Sequence, residues 1–296
     1  MSNLSTSTVY KDSGKMSTFI NFNGKVLPAE TAVLTADNRG FRYGDGLFET
    51  MKVVQGRLLL ERYHFERLLA GVGLLQFELS PFFTAEKLAG QVLALCKKNG
   101  HQALARVRLV VFRGDGGLYD PINHFPNYII QTWPLPLRDD KLNENGLEID
   151  IFPDGRKSCD SFANLKSNNY LLYVLAALYA RKHQFNDCLV LNSHDRVADS
   201  TIANLFYCKD GKIYTPPLTE GCVAGVMRRY LLEFLPGAGF SVEEKETCRE
   251  DLEGADEIFL TNALKGIKWV GSLGASTYGY QLAARVHREI ARESIY

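Results

Sequence analysis

Lys166 is the single charged residue in the stretch Ser161-Phe-Ala-Asn-Leu-Lys-Ser-Asn-Asn-Tyr170, and an apolar run from Leu171 to Ala180 follows at once. A lysine placed where a loop enters a buried helix risks losing its hydration. Desolvation lowers an ammonium's pKa and makes the amine nucleophilic. That is the requirement for a lysine that forms a Schiff base with a carbonyl compound. The window alone also suits a solvated lysine in a helix's first turn, which is where most lysines are found.

Three other places could hold an anion. In Glu220-Gly-Cys-Val-Ala-Gly-Val-Met-Arg-Arg229, Gly225 precedes a helix, and the free amides of a helix start make a phosphate site. Arg67, in His64-Phe-Glu-Arg-Leu-Leu69, stands among apolar helix positions and needs a partner. That partner is either a phosphate or a carboxylate. Arg113-Gly-Asp-Gly-Gly117 is a basic loop after a strand. It could close over a carboxylate substrate, or be only a turn.

Two more stretches carry acid and amide groups. Arg196-Val-Ala-Asp-Ser-Thr-Ile-Ala-Asn-Leu-Phe206 sets one acid, Asp199, in a polar knot between strand-like runs. It could pair with a protonated ring nitrogen or cap a turn. Phe259-Leu-Thr-Asn-Ala-Leu-Lys265 ends a strand with small polar residues, and ligands gather at strand ends in α/β architectures. An amine, phosphate binders and an acid for a pyridine nitrogen are together the minimum set for pyridoxal 5'-phosphate.

The elements that must position these groups follow from pattern. Residues 18–22 and 25–27 alternate around Asn23-Gly24, a hairpin signal. Strands are expected over 47–54, 57–60, 104–112 and 128–132, with helices over 62–77 and 85–98. Pro134 and Pro136 interrupt regular structure, which puts a linker at 133–141 between a small domain, 17–132, and a larger one, 142–296. In the second half, strands over 147–152, 188–192, 203–208, 212–214, 240–244 and 257–261 alternate with helices over 169–183, 226–234 and 278–293. The run 171–180 is expected to be a core helix, and residues 1–16 a loose polar tail.

Composition narrows the class. The chain has 296 residues, 46% hydrophobic and 23% charged, enough for two domains. Its 34 basic and 34 acidic residues cancel, so nucleic acid is not an expected partner. No run approaches the ~20 apolar residues of a membrane span, and the polar N-terminus lacks a signal core. Cys96, Cys159, Cys188, Cys208, Cys222 and Cys248 are dispersed, without zinc spacing. No metal site is therefore expected, and free thiols suit a cytoplasmic location.

The order and spacing of these motifs resemble the fold type IV pyridoxal-phosphate enzymes, the class IV aminotransferase family, over roughly residues 17–290. The resemblance implies a two-domain, D-amino acid aminotransferase-like architecture of α+β and α/β character. It implies that Lys166 is the Schiff-base lysine and that Arg67, in His-x-x-Arg-Leu, binds the cofactor phosphate. Val226 and Met227, in the Gly-[Ile/Val]-x-Arg pattern, would offer backbone amides to that phosphate. Asp199 falls where the family has a glutamate; it is shorter by one methylene, roughly 1.5 Å.

Four details resemble the aminodeoxychorismate lyase members. They are Arg39-Gly-Phe-Arg-Tyr-Gly-Asp-Gly46, the Lys166-x-x-Asn169 spacing, Met227 in place of a threonine, and the pair Asn262-Ala263. The first two are shared with D-amino acid aminotransferases. The Arg-x-His carboxylate trap of the latter is absent after Arg113, and His124 is too far along the chain to replace it simply. The implied reaction takes 4-amino-4-deoxychorismate to 4-aminobenzoate and pyruvate. Lys166 would act as base, with Tyr43, Arg113, Asn262 and Ala263 on the substrate side and Asn262 also among the cofactor-binding residues. The alternative is transfer of an amino group from a D- or branched-chain amino acid to a 2-oxo acid. The partner is then a small amino-bearing molecule, and the resemblance implies a homodimer.

Overall fold

The computed structural model describes residues 18–136 and 141–293. The expected tail, 1–16, and part of the expected linker lie outside them. The chain divides at residue 140/141 into two compact units, with one exchange among the described residues: Leu165–Asn169 belongs with the N-terminal residues. A boundary read from prolines alone cannot anticipate that exchange, because the segment lies inside the second half of the chain.

The N-terminal unit starts with β1 (Phe19–Phe22) and β2 (Lys25–Pro28). Asn23 and Gly24, at φ 50° and 87°, supply the left-handed turn that such a hairpin needs. A short helix, α1 (Arg39–Tyr43), is capped by Asn38, whose side chain accepts the Phe41 N–H. Then come β3 (Gly46–Val54), β4 (Arg57–Leu58), α2 (Glu61–Leu74), α3 (Ala85–Lys98), β5 (Leu104–Arg113) and β6 (Pro126–Pro134). The six strands form one antiparallel sheet in the order β2-β1-β6-β5-β3-β4. Val107, Leu109 and Val111 alternate inward along β5 and pack with Phe65, Leu68 and Val72 of α2 and Leu88, Val92 and Leu95 of α3. Period-2 and period-3.6 patterns thus meet in one core.

The C-terminal unit contains β7 (Leu147–Lys157), α4 (Leu171–Lys182), β8 (Asp187–Asn192), β9 (Val197–Ser200), β10 (Asn204–Lys209) and β11 (Lys212–Thr215). It continues with α5 (Val226–Phe234), β12 (Val242–Glu244), α6 (Arg249–Glu253), β13 (Glu257–Asn262), β14 (Gly266–Leu273), β15 (Ser276–Thr277) and α7 (Gln281–Arg292). Nine strands make a mixed sheet in the order β12-β11-β10-β13-β14-β7-β8-β9, with β15 beside β14. The β7–β8, β7–β14 and β11–β12 pairs are parallel.

Two expectations change. The strand expected at 147–152 runs on to Lys157, through a bulge between Ile151 and Arg156 where Pro153 and Gly155 read as a turn. The apolar run 171–180 belongs to the core on one face only. Only Tyr173, Ala176 and Ala180 of α4 are buried, while Leu171, Val174, Leu175 and Leu178 are exposed. No helix among the described residues is long and apolar enough to cross a membrane.

Candidate active site

Lys166 sits in the N-terminal unit, laid against the start of β3. The Phe48 N–H donates to the Lys166 carbonyl at 2.9 Å, and the Asn168 N–H donates to the Gly46 carbonyl at 2.9 Å. Gly46 is required by the close approach: a Cβ there would stand 2.3 Å from the Val111 carbonyl oxygen. These two backbone bonds fix the lysine's position without using its side chain. The half-buried amine lies 4.6 Å from the centre of the Phe48 ring. It lines a small pocket with Leu47, Glu49, Arg67, Gly71 and Leu165.

Arg67 projects from α2 into the same pocket, and its partner is a carboxylate. Nε donates to Glu49 Oε1 at 2.7 Å and Nη2 donates to Oε2, a bidentate pair. His64, one turn earlier on α2, places Nδ1 2.6 Å from Glu49 Oε2. Burial alone would raise the Glu49 pKa, but the Arg67 charge and the His64 contact bring it down to about 2. Burial pushes His64 below its usual value, against the pull of Glu49. Glu49 therefore stays ionised and His64 neutral near neutral pH, with the Arg67 guanidinium paired to the acid.

The sequence reading did not single out Glu49 or His64. A lone acid in the apolar strand Leu-Phe-Glu-Thr-Met was the available signal, since a buried carboxylate must find a cation.

Arg113 and Tyr43 belong to the same unit. Arg113 is 5% exposed, and its guanidinium is already engaged. Nε donates to the Asp45 carboxylate, Nη2 to the Leu75 carbonyl and Nη1 to the Gln76 carbonyl. His124 Nδ1 lies 3.4 Å from Nη1, so the fold returns to Arg113 the histidine that spacing had set aside. Arg39, also buried, pairs with Asp45 and donates to the carbonyls of Gly116, Leu118 and Tyr119, which pins the loop after Arg113. Tyr43 is the more open of the two, with the Arg39 guanidinium over its ring at 5.1 Å.

The remaining candidates lie in the C-terminal unit. Asp199 is in strand β9 rather than a loop, and is 2% exposed. The Tyr173 hydroxyl is 3.0 Å from both of its oxygens, and the Val223 N–H donates to Oδ2 at 2.9 Å. The Tyr173 hydroxyl is pushed well above its usual pKa by burial and by Asp199, so it serves as a donor.

Val226 and Met227 open α5, whose N-terminus has no side-chain cap. Its first-turn amides therefore offer an anion the partner that a cap would otherwise supply. The loop ahead of α5 is tied by Asn164, whose Nδ2 donates to the Cys222 carbonyl, and by Asn204, whose Nδ2 donates to the Val223 carbonyl. Asn262 turns the chain after β13; its Oδ1 accepts the N–H groups of Leu264 and Lys265, and half-buried Ala263 lies within that turn.

The donor set fits a phosphorylated pyridoxal group. An uncapped helix start and an arginine suit the phosphate, a lysine amine suits the aldehyde, and a buried carboxylate suits the ring nitrogen.

Similarity to known proteins agrees with that chemistry. Residues 46–273 match the family model described as amino-transferase class IV. The chain is 33% identical to the aminodeoxychorismate lyase of Vibrio harveyi over 240 residues, which cover 80% of this chain and 86% of that one. It is 26% identical to the D-alanine aminotransferase of Bacillus licheniformis, covering 87% of this chain and 89% of that one. The crystal structure of 4-amino-4-deoxychorismate lyase from Pseudomonas aeruginosa superposes with a TM-score of 0.80 at 29% identity, over 94% of this chain and 100% of that one. The chain is a fold type IV pyridoxal-phosphate enzyme and belongs to the class IV amino-transferase family.

Proposed function

We propose that this protein is an aminodeoxychorismate lyase-like enzyme, which converts 4-amino-4-deoxychorismate to 4-aminobenzoate and pyruvate. The observation that carries the reading is the pocket in which Lys166 and Arg67 stand together, in a chain 33% identical to such a lyase. Lys166 is the covalent anchor of pyridoxal 5'-phosphate, and Arg67 holds the phosphate, oriented by Glu49. Val226 and Met227 would give their amides to that phosphate, and Asp199 would partner the ring nitrogen. When bound, the cofactor supplies an electron-withdrawing ring. Lys166 would serve as the base that takes the proton from the amine-bearing carbon of the substrate. Loss of pyruvate then leaves an aromatic product.

Tyr43, Asn262 and Ala263 act on the substrate side. Arg113 acts there through Asp45 and His124, its neighbours. The reading includes a cytoplasmic homodimer. All six cysteines are free thiols, which supports a reducing compartment. The exposed leucines of α4 support a second copy of the chain as their cover.

The deciding experiment incubates purified protein with aminodeoxychorismate, and separately with D-alanine or leucine plus 2-oxoglutarate. Release of pyruvate with 4-aminobenzoate is expected. Amino transfer without aromatic product would reverse the assignment in favour of a transaminase. Borohydride should fix the cofactor on the peptide containing Lys166, and Lys166→Ala should abolish that adduct.

A further inference from the structure

Lys157 is a buried lysine that none of the roles above uses. Lys157 ends β7 and is 9% exposed. Its ammonium has no hydrogen-bond partner among the described residues. Nζ lies 3.5 Å from Asp199 Oδ2 and 5.2 Å from the centre of the Tyr173 ring. The sheet explains the meeting. Lys157 pairs with Asn192 of β8 on one side, and Val190 of β8 pairs with Asp199 of β9 on the other. The lysine therefore reaches across β8 to the carboxylate, on the face that Tyr173 of α4 covers.

The two oxygens of Asp199 are unequally loaded. Oδ2 takes the Val223 N–H, a share of the Tyr173 hydroxyl and the Lys157 charge. Among the described residues, Oδ1 takes only its share of the Tyr173 hydroxyl. A carboxylate has about four acceptor sites, so Oδ1 keeps capacity for a ligand donor. The other ionisable neighbours add little charge. Burial pushes the Cys222 thiol up to about 12, and the Tyr173 hydroxyl is also neutral. An ammonium and a carboxylate this close, both out of water, act on a third group largely as a dipole.

We infer that Lys157 is a positioning residue that offsets the charge of Asp199, so that the carboxylate meets the cofactor's ring nitrogen as half of a neutral pair. This rests on the proposed placement of the ring nitrogen at Asp199. A lone carboxylate favours a protonated, cationic ring; a neutral pair favours it much less. The consequence is measurable as selectivity between pyridoxal 5'-phosphate and its analogue with CH in place of the ring nitrogen.

The test uses full-length protein stripped of cofactor and measures the dissociation constant for each compound by fluorescence titration. Wild type should discriminate between them by less than about threefold. Lys157→Met should prefer the nitrogen-containing cofactor by about tenfold or more. Lys157→Arg, which keeps the charge, should behave as wild type. The double variant Lys157→Met with Asp199→Asn should return to little discrimination, which separates charge from packing. A tenfold preference already present in wild type overturns the inference, as does a Lys157→Met ratio equal to that of wild type. If borohydride traps cofactor on Lys166 while the ratio does not move, this inference alone fails. If wild type binds neither compound, it fails together with the proposed function.

Discussion

His64 Nδ1 lies 2.6 Å from Glu49 Oε2, inside a site where neither side chain touches water. This contact and the Arg67 pair lock an ionised acid between a neutral ring and a cation. Both groups lose their contribution in acid. His64 is held below its usual 6.5, so the unfolded chain takes its proton first and stability falls as pH drops below that value. Glu49, held near 2 against a usual 4.5, adds a second loss between those limits. The Glu49 part is worth on the order of 3 kcal/mol at neutral pH. Urea midpoints measured from pH 7 to pH 3 should fall for wild type. In Glu49→Gln they should start lower and fall less below pH 4.5; a parallel fall would contradict the assignment.

Gly225 sets how closely the chain approaches Asn204 at the start of α5. A Cβ there would stand 1.8 Å from Asn204 Oδ1, so the helix start must shift to admit one. Gly225→Ala should therefore lower pyridoxal phosphate affinity tenfold or more, with a stability loss of about 1–3 kcal/mol. Equilibrium dialysis beside a thermal melt measures both. Unchanged affinity in a destabilised protein would remove the α5 amides from the phosphate site.

Arg113 has a structural task before any substrate task. Removing it leaves Asp45 short of one partner and strands the Leu75 and Gln76 carbonyls, so Arg113→Ala should cost roughly 3 kcal/mol. Chemical denaturation reads that cost directly. A stable variant with raised KM alone would instead make Arg113 a substrate ligand.

The exposed face of α4 predicts assembly. Leu175→Glu with Leu178→Glu places two charges on that stripe, where the monomer leaves both positions open. Sedimentation should show wild type as a dimer and the variant as a monomer with an unchanged circular dichroism spectrum. A variant that remains dimeric would move the interface elsewhere.

Local signals in the sequence were read well where one residue type decides the geometry. Gly225 marks the start of α5, and Asn23-Gly24 the first hairpin. Lys166 stood out because it is alone among uncharged neighbours. What spacing could not reveal is which distant groups meet. Glu49 and Arg67 are eighteen residues apart, and Tyr173 and Asp199 twenty-six. His124 and Arg113 looked too far apart, yet the chain doubles back between them. The polar neighbours of Asp199 suggest a knot between two strand-like runs. In the sheet all four residues of β9 are buried, and those polar groups find partners inside it. The α4 run misled because an apolar helix reads the same whether or not its own chain covers every face of it.

The exchange of Leu165–Asn169 between units has a consequence for synthesis. The N-terminal sheet and its two long helices leave the ribosome before the pentapeptide that completes them. The edge at Leu47 and Phe48 must then wait for the Lys166 carbonyl and Ser167 to arrive from a stretch whose flanks belong to the other unit. Nascent chains ending before residue 165 should carry an assembled Glu49–Arg67 pair and no amine beside it. Lys166 is thus the last residue to be made of the pocket that Glu49 and Arg67 line.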